Sequence, residues 1–177
     1  PPFNLMGTAL TVGKIGERSL TINPANWECI ILRLPAGGTP TTLPDFGDQT
    51  MGADPGCVVP NLPLKNGKFL NVFLGQVITL SLNTRFDPDL VDLELCNLMT
   101  TLKVDPGDDG LMDSGDEVPI PGTEKVVFIS PVIMNALDNL NLDQTVGGLL
   151  ELPKRALPGM PTGGASISAI NGAVDAI

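Results

Sequence analysis

Histidine and tyrosine are absent from this chain. Without histidine, Ser–His–acid and Cys–His nucleophilic chemistry, imidazole acid–base catalysis and histidine-ligated metal sites are excluded within it. One Trp and six Phe leave few aromatic platforms, which weakens a carbohydrate-binding reading. Basic residues are scarce as well: ten Lys plus Arg stand against twenty Asp plus Glu, a net charge of −10. Phosphate neutralisation needs a basic face, so nucleic acid is disfavoured as a partner, and anionic membrane surfaces with it. No run of eighteen apolar residues occurs, so no membrane span is expected. No Asn-x-Ser/Thr acceptor is present either.

Cysteine is sparse: Cys29, Cys57 and Cys96, with no C-x-x-C spacing to support a zinc cluster or redox motif. Three buried thiols are one reading. The preferred one is an oxidising compartment with Cys29 joined to Cys57, tying down the loop-rich region between them. Cys96 is then left for a partner further along the natural chain. Pro1 at the start, without Met or a signal-like apolar region, fits a processed mature chain or a trimmed fragment. The end at Ile177, inside a helical pattern with no C-cap Gly, suggests that the natural chain runs on.

What is present suits one domain over residues 1–177, strand- and loop-rich over 1–66 and helix-rich over 67–177. A chain of this length buries roughly 70% of its unfolded surface. Twenty Gly and seventeen Pro make it rich in loops, while 17% charged residues is too few for disorder. Phe3 to Val12 and Ser19 to Ile22 read as strands joined by a turn around Gly13–Gly16. The first carries apolar residues on both faces, Phe3, Leu5 and Ala9 on one and Met6, Leu10 and Val12 on the other. Trp27 to Leu34 is an apolar run of ambiguous type. Pro35 to Pro63 is a long irregular segment, a length uncommon in compact domains unless stapled or functional. Thr39, Thr41 and Thr42, flanked by prolines, suit either O-linked sugars or a plain exposed loop.

Lys68 to Phe86 nearly alternates, as a strand would, yet Leu70, Phe73, Leu74, Val77 and Ile78 share a helical face. Its length exceeds a typical strand, so a central helix buried almost all round is expected, ended by Asp87-Pro88. Leu90 to Cys96 is a short strand or a helical turn. Val126 to Ile129, β-branched and aromatic, reads as a buried strand. Ser130-Pro131 stops it: Ser caps, and Pro at the first helical position gives up no hydrogen bond. Ile133, Leu137 and Leu140 then line one helical face, with Met134 beside them. Thr145 opens a second helix through Val146, Leu149, Leu150, Pro153 and Leu157, with Pro153 expected to kink it or confine it to two turns. After the breaker run Pro158–Gly164, Ser166 caps a third helix with Ile167, Ile170, Val174 and Ile177 inward. The last two helices read as a hairpin, and the fold class as α+β.

Thr145–Leu152, Arg155–Leu157, Gly163–Asn171 and Ala173–Ile177 resemble a tail that recurs in secreted bacterial cell-surface proteins of unassigned function. Leu34–Pro40, Asn66–Phe69 and Leu74-Gly75-Gln76 resemble earlier blocks of the same family, so that about half the chain is covered. That pattern has small or polar residues where Pro153 and Lys154 stand, which suggests a shorter middle helix here. In relatives the chain continues into a cysteine-bearing segment. The resemblance implies export and a structural or adhesive setting, and it implies no activity.

One stretch concentrates ionic chemistry. Residues 105–117 hold five Asp and one Glu, which repel one another unless solvated or neutralised by a hard dication. Counting Asp105 as first, Asp109 is fifth, Gly110 sixth, Asp113 ninth and Asp116 twelfth, an echo of an EF-hand loop. Gly107 in the third position, Asp rather than Glu in the twelfth and no helix on the amino-terminal side depart from that pattern. The stretch is either a solvated acidic turn or a calcium loop with Asp105, Asp109, Asp113, Asp116 and Glu117 as candidate ligands. A catalytic carboxylate pair has no pocket or nucleophile beside it. The function expected is therefore not enzymatic: an exported structural protein, a homo-oligomer or polymer joined through its amino-terminal strand in a filament, surface layer or matrix. The alternative is a calcium-stiffened binding module of a larger secreted adhesin or enzyme.

Overall fold

The computed structural model describes residues 7–52, 57–59, 61–105 and 118–177. Strands β1 (Leu10–Lys14) and β2 (Arg18–Ile22) pair antiparallel, Leu10 opposite Ile22 and Lys14 opposite Arg18. Leu10, Val12, Leu20 and Ile22 alternate onto one inward face, and all four are buried. The turn falls at residues 15–17, later than the Gly13–Gly16 span expected, because Gly13 lies inside the ladder opposite Ser19. Only glycine fits there: φ is +86°, and a Cβ would collide with the Arg18 carbonyl oxygen. The amino-terminal strand accordingly occupies 10–14. Gly7 to Ala9 are exposed and not in a strand, while Phe3, Leu5 and Met6 lie outside the described residues.

The ambiguous run after β2 forms a short helix, α1 (Glu28–Arg33). Lys68 sits at its carboxyl end and donates from Nζ to the carbonyls of Leu32 (2.9 Å) and Leu34 (2.6 Å), where a cation meets the negative end of the helix. Arg33, the last residue, is buried. Its guanidinium donates to the Cys57 carbonyl (3.1 and 2.8 Å) and to the Gly67 carbonyl (2.7 Å). A disulfide joins Cys29 to Cys57 across 28 residues, with Cα atoms 5.4 Å apart.

Between these anchors the irregular segment is held down bond by bond, as its buried backbone groups require. The Leu43 amide donates to the Leu157 carbonyl (2.7 Å), and the Met51 amide donates to the Thr21 carbonyl (2.9 Å). Asn26 Nδ2 donates to the Met51 carbonyl at 2.7 Å. A three-residue strand, β3 (Asp48–Thr50), adds parallel to β2 with Asp48 opposite Ser19.

A two-residue pairing, β4 (Leu64–Lys65) with β5 (Lys68–Phe69), leads into α2 (Val72–Phe86). Asn71 caps α2 by accepting from the Leu74 amide (3.4 Å). The same buried amide clamps the loop: Nδ2 donates to the Thr41 carbonyl (2.9 Å), and Oδ1 accepts from the Thr41 amide (3.3 Å). Phe73, Leu74, Gly75, Val77, Ile78 and Leu80 are buried, so the helix expected to be covered nearly all round is so over its first turns. It ends at Asp87, whose carboxylate accepts from the Asp89 amide (3.1 Å) and starts a 3-10 turn, Pro88–Asp92.

Beyond that turn come β6 (Leu98–Thr101), β7 (Val104–Asp105), β8 (Val118–Pro119) and β9 (Lys125–Phe128). Three helices close the chain: α3 (Pro131–Asn139), α4 (Val146–Ala156) and α5 (Ile167–Ala176). Ser130, Thr145 and Ser166 cap them through the amides of Val132, Gly148 and Ala169. Helix α4 does not stop after two turns. It runs through Pro153 to Ala156, because a proline removes a single i to i−4 bond and Pro153 itself is buried. Helices α4 and α5 pack on each other as a pair, and α2 packs against α5, α4, β1 and β5. The architecture is mixed α+β with small separate sheets.

The disulfide closes a 28-residue loop, and chain-entropy arithmetic for that length gives about 3–4 kcal/mol of stabilisation. The double variant Cys29→Ser, Cys57→Ser is expected to lose that much in urea unfolding. A loss below about 1 kcal/mol would show that the hydrogen bonds of Arg33 and Asn71 hold the loop without it.

Candidate functional site

The acidic stretch singled out above lies between β7 and β8, which pair with Asp105 opposite Val118 and Val104 opposite Pro119. Paired strands therefore flank it on both sides, where an EF-hand has helices. Of its candidate ligands, Asp105 is in β7, while Asp109, Asp113, Asp116 and Glu117 lie outside the described residues. Among the described residues, no cluster of three acidic or cysteine side chains could hold a metal ion.

Strands β6 and β9 pair antiparallel further down, Leu98 opposite Phe128 and Thr101 opposite Lys125. Residues 98–105 and 118–128 thus form the two sides of one long arm. Its register shifts at 120–124, where Thr123 Oγ1 accepts from the Lys103 amide (3.0 Å) and donates to the Ile120 carbonyl (2.6 Å). Gly122, at φ +78°, takes the tight turn this needs.

The strand expected to be buried is covered on one face only. Val127 is 4% exposed and Ile129 0%, whereas Val126, Phe128 and the facing Leu98 are 62, 63 and 65% exposed. The inner face rests on α5. The outer face presents three large apolar side chains to water, with Val118 and Ile120 also exposed further along the arm. Contiguous apolar surface of this kind marks interaction sites. The signal was readable: Val126 to Ile129 is apolar at both parities, and a strand of that kind needs cover on two sides.

A second apolar feature is an open groove of about 410 Å³ between α1 and the start of α2, lined by Ile30, Ile31, Leu34, Ala36, Val72 and Gly75 among others. Gly75 permits the close approach, since a Cβ would lie 2.5 Å from that of Ala36. No ionisable side chain lines the groove, and its polar lining is Gln76 and Thr79, whose hydroxyl donates to the Gly75 carbonyl (3.0 Å). Cys96, an exposed thiol, stands two residues before β6.

No family model, no curated protein and no solved structure matches the chain.

Among the described residues one carboxylate, Asp48, is held away from its ordinary titration range. Asp48 accepts from the Gly16 amide (2.9 Å) and the Ser19 hydroxyl (2.7 Å), clasping the β1–β2 turn to β3. The backbone bond from Gly16, then the bond from Ser19, hold its pKa below the usual carboxylate range. A folded-state pKa below the unfolded one adds stability above the unfolded value and loses it as pH falls through the folded one. As pH falls through and below the ordinary carboxylate range, Asp48→Asn is expected to lose less melting temperature than the wild type, while melting lower than it at neutral pH. Equal acid slopes for the two proteins would contradict the clasp.

Proposed function

We propose that this chain is an exported structural protein without catalytic activity, a self-associating subunit of an extracellular filament, surface layer or matrix. The observation that carries the reading is the outer face of the β6–β9 ribbon. A lone copy leaves Leu98, Val126 and Phe128 in water, and assembly covers them. Full burial of one such side chain contributes about 1.5–3 kcal/mol, so a few per contact weigh substantially against repulsion between copies of net charge −10. The Cys29–Cys57 bond supports an oxidising compartment. The resemblance of the carboxyl-terminal segment to secreted surface proteins supports the same setting. Among the described residues no helix is long and apolar enough to cross a membrane, and the acidic balance argues against nucleic acid.

Light scattering across a concentration series, with micrographs of the same samples, tests the reading. Mass is expected to grow with protein concentration, and faster in salt that screens the charge. A monodisperse monomer at every concentration would contradict it.

The pairing of β7 with β8 favours a second reading, a calcium-stiffened binding module, because it draws the two ends of the acidic segment together. With Asp105, Asp109, Asp113, Asp116 and Glu117 as ligands, calcium at about a hundred times Kd adds about 2.7 kcal/mol of stability by linkage. Chelation is then expected to lower the melting temperature, and added calcium to restore it. An unchanged melting temperature at millimolar calcium removes the site.

A further inference from the structure

A two-stranded ribbon is marginal as a sheet, and among the described residues β6 and β9 pair only with each other, leaving both outer edges open. The Ile129 amide donates to the Asn97 carbonyl at 3.1 Å, which makes Asn97 and Ile129 a hydrogen-bonded pair. Antiparallel ladders alternate, so Met99–Val127 is the next bonded pair, while Leu98–Phe128 and Thr100–Val126 are non-bonded pairs. The backbone N–H and C=O of Val126 and Phe128 therefore point away from β6, towards the open edge. The same two residues present the exposed apolar side chains. An edge with backbone donors and acceptors beside apolar side chains is a site for strand addition.

The chemistry of the edge restricts its occupant. No charged residue occurs from Leu95 to Leu102 or from Val126 to Leu137, and Lys125 is the one charged residue of β9, so beside Val126 and Phe128 a charged incoming strand would lose hydration without gaining a partner. The occupant has to be an uncharged, extended segment with apolar side chains at alternate positions. Residues 1–13 contain no charged side chain, and Phe3 and Leu5 alternate within them. The other long uncharged stretches are already in use: 34–44 is held on the domain through the Gly37 and Leu43 amides, 69–84 supplies most of α2, 126–137 supplies most of β9 and of α3, and 156–174 supplies the end of α4 and most of α5. Pro1 and Pro2 occupy the first positions, where a strand tolerates proline, and Phe3 to Met6 keep their amide donors. Arg85 fixes the point of departure by donating to the carbonyls of Thr8 (2.9 Å) and Ala9 (2.8 Å).

We propose that residues 1–6 of one copy add as a strand to the β9 edge of a second copy, covering Val126 and Phe128. The inference rests on the self-association proposed above and identifies both surfaces of the contact. Donor and acceptor are different parts of the chain, so the contact is heterologous and propagates from copy to copy unless the ring closes.

Two variants separate donor from acceptor. Deletion of residues 1–6 leaves a chain that only accepts, and Phe128→Lys leaves one that only donates. Each alone is expected to sediment as a monomer, with the circular dichroism and melting temperature of dilute wild type. Mixed in equal amounts they are expected to form a complex of twice the monomer mass that grows no further. A peptide of residues 1–8 is expected to bind the deletion variant one to one. Several outcomes overturn the inference while self-association stands: a deletion variant that still polymerises, a mixture that stays monomeric, or a deletion variant that dimerises alone through its ribbon. A deletion variant that melts well below dilute wild type places the segment on its own domain and overturns it too. Wild type that is monomeric throughout removes the self-association reading and this inference with it.

Discussion

Helix α2 has apolar side chains on nearly every side of its first turns, and a helix of that kind is stable only where it is covered all round. Most of the fold answers that requirement. Strands β1 and β5 and helices α4 and α5 pack against it, and Ala36 comes so close that only a glycine at 75 allows it. Asn71 caps the helix while holding Thr41, so the start of α2 and the loop that covers it share one side chain. The disulfide and Arg33 tie that loop region to α1, beside β5. With these elements committed to α2, none of the described ones covers the outer face of the β6–β9 ribbon.

Much of the helical half was legible because its signals are local. Ser130-Pro131, Thr145 and Ser166 each supply a hydroxyl to a free amide, and the helices start where those residues stand. Helix α2 was legible from its length, although its pattern also suited a strand. Of the two outcomes expected at Pro153, confinement to two turns did not occur, since one lost backbone bond does not end a helix whose remaining contacts are intact. Strand pairing was the least legible. Asp48–Thr50 carries no strand pattern, yet it pairs with β2 through the backbone and through the bonds that Asp48 accepts from Gly16 and Ser19. The pairing of Leu98 with Phe128 spans thirty positions, and nothing local announces it.

The candidate site was legible in a different place from where the apolar surface lies. Charge drew notice to residues 105–117, yet an acidic run states only what it repels. The uncovered face was written in Val126 to Ile129, whose propensity shows a strand without showing how many of its faces find cover. In the amino-terminal strand one face is covered, with Leu10 and Val12 buried beneath α2 and α4, while Ala9 of the other face is exposed and lies outside the strand. A chain without histidine has no Ser–His–acid or Cys–His site of its own, and the outer face of the β6–β9 ribbon lies in water.

The central claim is that the ribbon is open in a single copy and covered in the assembly. Hydrogen exchange read residue by residue, in dilute and in concentrated protein, addresses it directly. The amides of Val126 and Phe128, which point to the open edge, are expected to exchange fast in dilute samples and to become protected as mass grows. Those of Val12 and Leu20, inside the β1–β2 pair, are expected to stay unchanged. Protection of Val126 and Phe128 that is already complete in dilute monomer, or assembly that leaves both unprotected, would contradict the account.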